Sequence, residues 1–118
     1  MSFDFKNDIP IYLQIIEDIK IRIFSGQYLS NEKLPSVREL SYVYQVNPNT
    51  IQKALAELED SGLIYTERTN GKFVTSDNEV ISKIKAETIN EKLDQFFDSL
   101  CEIGLSKKEI LKYIKERG

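Results

Sequence analysis

The chain has no histidine, a single cysteine, three prolines and five glycines among its 118 residues. Without histidine, the commonest general base and metal ligand is missing. With Cys101 as the lone thiol, neither a zinc site of ordinary composition nor an internal disulfide can form, which suits a reducing cytosol. Cys101 follows Leu100 in an apolar helical stripe and reads as a small buried side chain rather than a redox sensor. The acidic residues lack the spacing of a calcium loop. No apolar run approaches the roughly 18 residues of a spanning helix, and the opening MSFDFKND is too polar and acidic for a signal peptide. No catalytic constellation is present, so neither an enzyme nor a cofactor is expected. The expectation is a cytoplasmic protein with no membrane partner.

Positive charge is also in short supply. Sixteen basic side chains face 19 acidic ones, for a net charge of −3. Residues 1–77 hold 8 basic and 11 acidic side chains, the whole of the imbalance. Any case for nucleic acid must rest on where the charges sit. The acidic sum favours a rival, a protein-interaction module, which the salt dependence of DNA binding would separate.

What the chain does have is periodicity. Tyr12, Ile15, Ile16, Ile19 and Ile23 recur at helical spacing over 10–24, with Asp8 as a cap, Pro10 in the first turn and Gly26 as the stop. Ser36-Val37-Arg38-Glu39 is a capping box, predicting a short helix to about Tyr44 that buries Val37, Leu40 and Val43. Asn47 and Pro48 fit the N-cap and first position of a third helix. Ile51, Ala54, Leu55 and Leu58 face inward, and Gly62 supplies the left-handed stop. The period then changes to two. Residues 64–68 and 72–75 flank Thr69-Asn70-Gly71, a hairpin signal. Ser76-Asp77-Asn78-Glu79 reads as a second capping box, opening a helix of roughly 40 Å to about Ile103 at ~1.5 Å per residue. Gly104 closes it. Ser106–Glu109 forms a third box with Leu105 and Ile110 as its staple, before a last helix burying Ile110, Leu111 and Ile114.

Helix, helix, short turn, helix, hairpin is the winged helix-turn-helix plan. The expected fold is mainly α with a small β-hairpin wing. Residues 1–76 form the DNA-binding domain and 77–118 a two-helix C-terminal dimerisation segment. In that geometry the third helix offers Asn49, Gln52, Lys53 and Ala56 to the major groove. Asn and Gln can bond adenine bidentately, and Lys can reach guanine or phosphate. Arg38, at the second position of its helix, adds a fork for phosphate where the helix dipole already favours an anion. Lys33, Arg68 and Lys72 extend a basic rim, and Asn70-Gly71 forms the wing tip. Taken singly, each feature is an ordinary solvated surface; their order and spacing together point to double-stranded DNA.

Five motifs resemble the GntR family of bacterial transcription regulators in register. They are Pro10-Ile11-Tyr12-x-Gln14-Ile15, Leu34-Pro35-Ser36-Val37-Arg38-Glu39-Leu40, Val46-Asn47-Pro48-Asn49-Thr50-Ile51-x-Lys53-Ala54-Leu55, Leu58-x-x-x-Gly62-Leu63-Ile64 and Gly71-x-Phe73-Val74. The short helical tail resembles the YtrA-like subfamily. The resemblance implies a homodimeric regulator, usually a repressor, on an inverted-repeat operator. It gives Arg38, Asn49, Thr50, Gln52, Lys53 and Gly71 contact roles, with Ser36 and Asn47 at the two helix starts completing the set. Two departures stand out. Many members carry arginine where this chain has Pro48 and Gln52, and Thr69 replaces the first glycine of a common Gly-x-Gly wing.

In the tail, Ile89, Leu93, Phe96, Leu100 and Ile103 are spaced 4, 3, 4, 3, a heptad seam that Phe97 widens. Such a seam predicts a dimer interface rather than a face folded back on the domain. The larger family members place an effector domain here, but the residues after Asn78 are too few for one. A small-molecule effector, if used, would bind between the tail helices or at the domain junction.

Overall fold

The computed structural model describes residues 3–118. The elements run α1 (Ile11–Phe24), α2 (Val37–Tyr44), α3 (Pro48–Asp60), β1 (Ile64–Glu67), β2 (Gly71–Val74), α4 (Asn78–Cys101) and α5 (Lys107–Arg117). They divide into two compact units, Met1–Ser82 and Lys83–Gly118.

The first unit is built on α3. Ile51, Ala54, Leu55 and Leu58 are at most 1% exposed, and α3 packs on α1, α2 and β1. Burying each large side chain there contributes roughly 1.5–3 kcal/mol. Ile15 and Ile19 of α1 and Leu40 of α2 close the same core. At the start of α3 the Asn47 side chain accepts the Asn49 backbone N–H at 2.8 Å, with Pro48 first in the helix. At its end, Gly62 has φ +86°. The Gly62 N–H bonds the Glu59 carbonyl and the Leu63 N–H the Leu58 carbonyl, a Schellman stop.

Three local expectations are corrected in this unit. Asp8 does not cap α1, which begins after Pro10 with no side-chain cap. The N-cap position itself is Pro10, whose side chain offers no acceptor to the first N–H groups. Gln14 instead turns back, donating to the Lys6 and Ile9 carbonyls and accepting the Lys6 N–H. The capping box on α2 forms as read. The inward residues, however, are Leu40 and Tyr44; Val37 is half-buried and Val43 is 50% exposed. Tyr44 lies one turn beyond Leu40, and its hydroxyl donates to Asp18 at 2.6 Å, which also accepts from Arg22. A partnered phenol can thus occupy the core position a valine was expected to take. Burial, reinforced by Asp18, pushes the Tyr44 phenol well above its ordinary pKa.

The hairpin pairs Ile64 with Val74 and Glu67 with Gly71. The turn is Arg68-Thr69-Asn70, closed by the Asn70 N–H on the Glu67 carbonyl. The residue at positive φ is Gly71, at +102°. The loop before α2 adds a third rung: Asn31 and Leu34 donate to Val74 and Lys72, and Val74 donates to Glu32.

The segment from Asp77 onward also differs from expectation. The carboxylate of Asp77 accepts the Glu79 N–H at the start of α4, so no Ser76 box forms there. The helix stops at Cys101, and residues 102–104 make a turn with Gly104 at φ +104°. Cys101 is exposed rather than buried. The Ser106 capping box on α5 is present. Ile110 is sealed, but Leu111 and Ile114 are exposed, because two helices cannot cover both sides of α5.

Leu58→Ala should therefore cost about 2–5 kcal/mol in urea unfolding, whereas Val43→Ala should cost about 0.5 kcal/mol or less. A large loss at Val43 would contradict the corrected face of α2.

Candidate nucleic-acid interface

The sealed stripe of α3 dictates what its other side does. Asn49, Gln52, Lys53 and Ala56 are all exposed, and Thr50 is half-buried at the edge. Asn49, Thr50, Gln52 and Lys53 share the amino-terminal half of the helix, while Ala56, Glu57 and Asp60 lie in its later turns. Asn47 is spent on the cap, so its role begins with setting the helix start.

The turn between α2 and α3 is held tightly. Gln45 adopts a left-handed conformation, φ 58°. Its own N–H and that of Val46 bond the Ser41 carbonyl, while the Ser41 hydroxyl donates to the Val46 carbonyl. A glutamine at positive φ costs of order 1–3 kcal/mol and persists only where its surroundings hold it. Arg38, Tyr42 and Asn47 line a shallow hollow beside this turn. Arg38 is exposed and second in α2. Next to it, the Ser36 backbone and hydroxyl bonds hold the Glu39 carboxyl below its usual range.

A second hollow, of about 350 Å³, lies between the start of α2 and the wing. Lys33, Ser36, Arg68, Asn70, Gly71 and Lys72 all line it. Half of the sequence-derived contact residues thus meet in one place, apart from Arg38. The Lys33 stem crosses under the wing tip: a Cβ on Gly71 would stand 3.3 Å from Lys33 Cε. Gly71 is required by its positive φ, and the Lys33 stem would have to shift by a few tenths of an ångström for any larger residue there.

Two of the basic residues are not free. The Lys72 ammonium sits 2.9 Å from Glu59 Oε1 and 2.7 Å from Thr66 Oγ1, and Thr66 also donates to Glu59. This triad ties β1 and β2 to the last turn of α3. The pair is partly exposed, so its part is geometric more than energetic. The Lys53 ammonium stands 3.9 Å from the centre of the Tyr12 ring.

The model of the gntR family of bacterial regulatory proteins matches residues 11–74. The chain belongs to the GntR family. Two relatives from Bacillus subtilis run nearly its full length. YhcF, an HTH-type transcriptional regulator, is 39% identical over 98% of this chain and 95% of its own. The HTH-type transcriptional repressor YtrA is 34% identical over 98% of this chain and 90% of its own. A GntR family transcriptional regulator from Listeria monocytogenes shares the fold with a TM-score of 0.86, at 38% identity, covering 95% of this chain and 98% of that one. The DNA-binding domain of AraR, solved in complex with operator ORX1, covers 64% of this chain and 95% of its own, at 30% identity and a TM-score of 0.59.

This GntR chain is thus a transcription regulator by family, not an enzyme. No helix among the described residues is long and apolar enough to cross a membrane, and no group there could hold a metal. Sequence reading passed over two aromatic side chains on this surface, Tyr12 and Tyr42. Tyr12 recurs at helical spacing with the isoleucines of α1, yet it is only half-buried and carries Lys53. Tyr42 is 79% exposed.

The Thr66 bond, then Lys72, depress the Glu59 pKa. A depressed carboxyl adds stability above its unfolded pKa, and loses it as pH falls through the folded value. The wing should therefore loosen from α3 only below the ordinary carboxylate range. In Lys72→Met the Glu59 pKa should rise yet stay depressed, because Thr66 remains. Carboxylate NMR titration measures it; an unchanged pKa would dissolve the tie.

Proposed function

We propose that the chain is a sequence-specific, double-stranded-DNA-binding repressor that acts in the cytoplasm as a homodimer on an inverted-repeat operator. One observation carries the DNA reading: the amino-terminal half of α3 exposes Asn49, Gln52 and Lys53 while its opposite face is sealed. The two amides suit base edges in a major groove, and the lysine can reach guanine or phosphate. Arg38 and the rim of Lys33 and Arg68 flank them for phosphate, Lys72 fastens the wing beside them, Ser36 and Asn47 set the helix starts, and Asn70-Gly71 forms the wing tip. The operator complex of AraR and the repressor name of YtrA support the same reading. The net charge of −3 would favour a protein-binding module instead; a binding constant insensitive to salt would bear that out.

The dimer rests on the second unit. Ile89, Leu93 and Phe96 are each 45–48% exposed and Ile103 is 74% exposed, with Phe97 and Leu100 half-covered. An apolar hollow of about 520 Å³ opens among Phe96, Leu100, Leu105, Ile110 and Ile114. A two-fold contact makes one patch self-complementary, so α4 of one protomer and this hollow of its partner can close on each other. Joining two reading heads raises affinity through effective concentration. It also calls for half-sites about one helical turn apart. Residues 1–76 would then read DNA, and 77–118 would pair the heads.

Gln52→Ala should weaken specific binding by about 1–3 kcal/mol and relax one base pair per half-site. Selection from a random duplex pool reads both, and an unchanged preference removes Gln52 from base readout. Arg38→Ala should weaken all duplexes alike and flatten the salt slope by about one; a loss confined to the selected duplex would make Arg38 a base reader. Sedimentation velocity should show a dimer at micromolar concentration, and a monomer when Leu93 and Phe96 are both replaced by Asp. A wild-type monomer would contradict the dimer.

A further inference from the structure

We infer that Tyr12 is a specificity-determining residue that acts through Lys53, an inference that rests on the DNA reading above. Tyr12 is in the first turn of α1, on a different element from the reading row. Its half-buried ring stands 3.9 Å from the Lys53 ammonium. A lysine ammonium on a flexible four-carbon stem can reach many acceptors. Over a ring face it is held by the ring's electrostatics, without losing its charge or most of its donors. Here the hold draws Lys53 toward α1 and away from the middle of the row. Asn49 and Gln52, neighbours one turn apart, are left as the groups that face base edges. Both are amides suited to adenine. Lys53, kept at the α1 side, addresses phosphate. Tyr12 thus keeps a guanine-seeking cation out of the base-reading positions, which favours A·T pairs at the centre of each half-site.

The charge count agrees with this division. Lys72 is bound to Glu59 and Thr66, which reduces its freedom to meet a phosphate. In an acidic first unit, a cation held ready for the backbone carries more of the attraction than it would in a basic one.

The test uses the full chain and a duplex recovered by the wild type from a random pool. Tyr12→Leu removes the ring, Tyr12→Phe keeps it, Lys53→Ala removes the cation, and a double variant completes the cycle. In the free protein, the Lys53 ε-methylene protons should be shifted upfield by the ring in wild type and Tyr12→Phe, and not in Tyr12→Leu. This readout does not depend on DNA. On the duplex, Tyr12→Leu should weaken binding about three- to tenfold, Tyr12→Phe less than about twofold, and Tyr12→Leu should add nothing once Lys53 is alanine. Lys53→Ala should lower the salt slope by about one without relaxing any base preference. Repeating the selection with Tyr12→Leu should recover new guanines, because the freed ammonium can reach the bases. Additive losses, an unchanged selected sequence, or Tyr12→Phe falling as far as Tyr12→Leu would overturn the inference while leaving the regulator reading intact. A wild type that recovers no duplex would instead overturn the regulator reading, and this one with it.

Discussion

Burial of one face of α3 is the constraint from which the rest of the first unit follows. Ile51, Ala54, Leu55 and Leu58 meet α1, α2 and β1 on three sides. With that stripe sealed, the helix cannot rotate without exposing apolar surface, and a turn about its axis would forfeit several kcal/mol. The outward row is therefore a fixed array rather than a mobile one. The caps add to this. Asn47 and Pro48 set where the helix begins, and Gly62 sets where it ends, so the axial position of Asn49 and Gln52 is determined as firmly as their direction.

The same economy places the wing. Two strands of four residues would be marginal alone. They are anchored by Leu63, Ile64 and Val74, all nearly fully buried. The loop at 31–34 pairs onto β2, and the Lys72–Glu59–Thr66 triad fastens the hairpin to α3. Side chains that look like free cations in a linear reading are thus divided between two tasks. Some hold the frame, and others face outward from it.

Much of the first unit was legible because its signals are local. A capping box, an N-cap asparagine with proline at the first helical position, and a C′ glycine act over four or five residues, and the sealed face of α3 follows from spacing alone. What could not be read depends on partners distant in sequence, or on local bonds that compete with the expected ones. Tyr44 displaces Val43 from the core because Asp18, on another helix, satisfies its hydroxyl. Gln45 takes a left-handed turn that its residue type does not announce, since Ser41 and Val46 close around it. The Asp77 cap wins over Ser76 through a bond of its own to the Glu79 N–H. Tyr12 recurs at helical spacing with the isoleucines of α1, and only α3 beside it shows that it holds Lys53. In the tail, the heptad spacing was visible, but which apolar side chains stay uncovered depends on how little two helices can bury.

The account turns on whether the exposed row of α3 meets DNA. Amide chemical shifts of the full-length, nitrogen-15-labelled protein, titrated with a duplex selected from a random pool, address that most directly. The largest changes should fall at Arg38, Asn49, Thr50, Gln52, Lys53 and Gly71, and should weaken with added salt. Changes confined to α4 and α5, or none at saturating duplex, would contradict it.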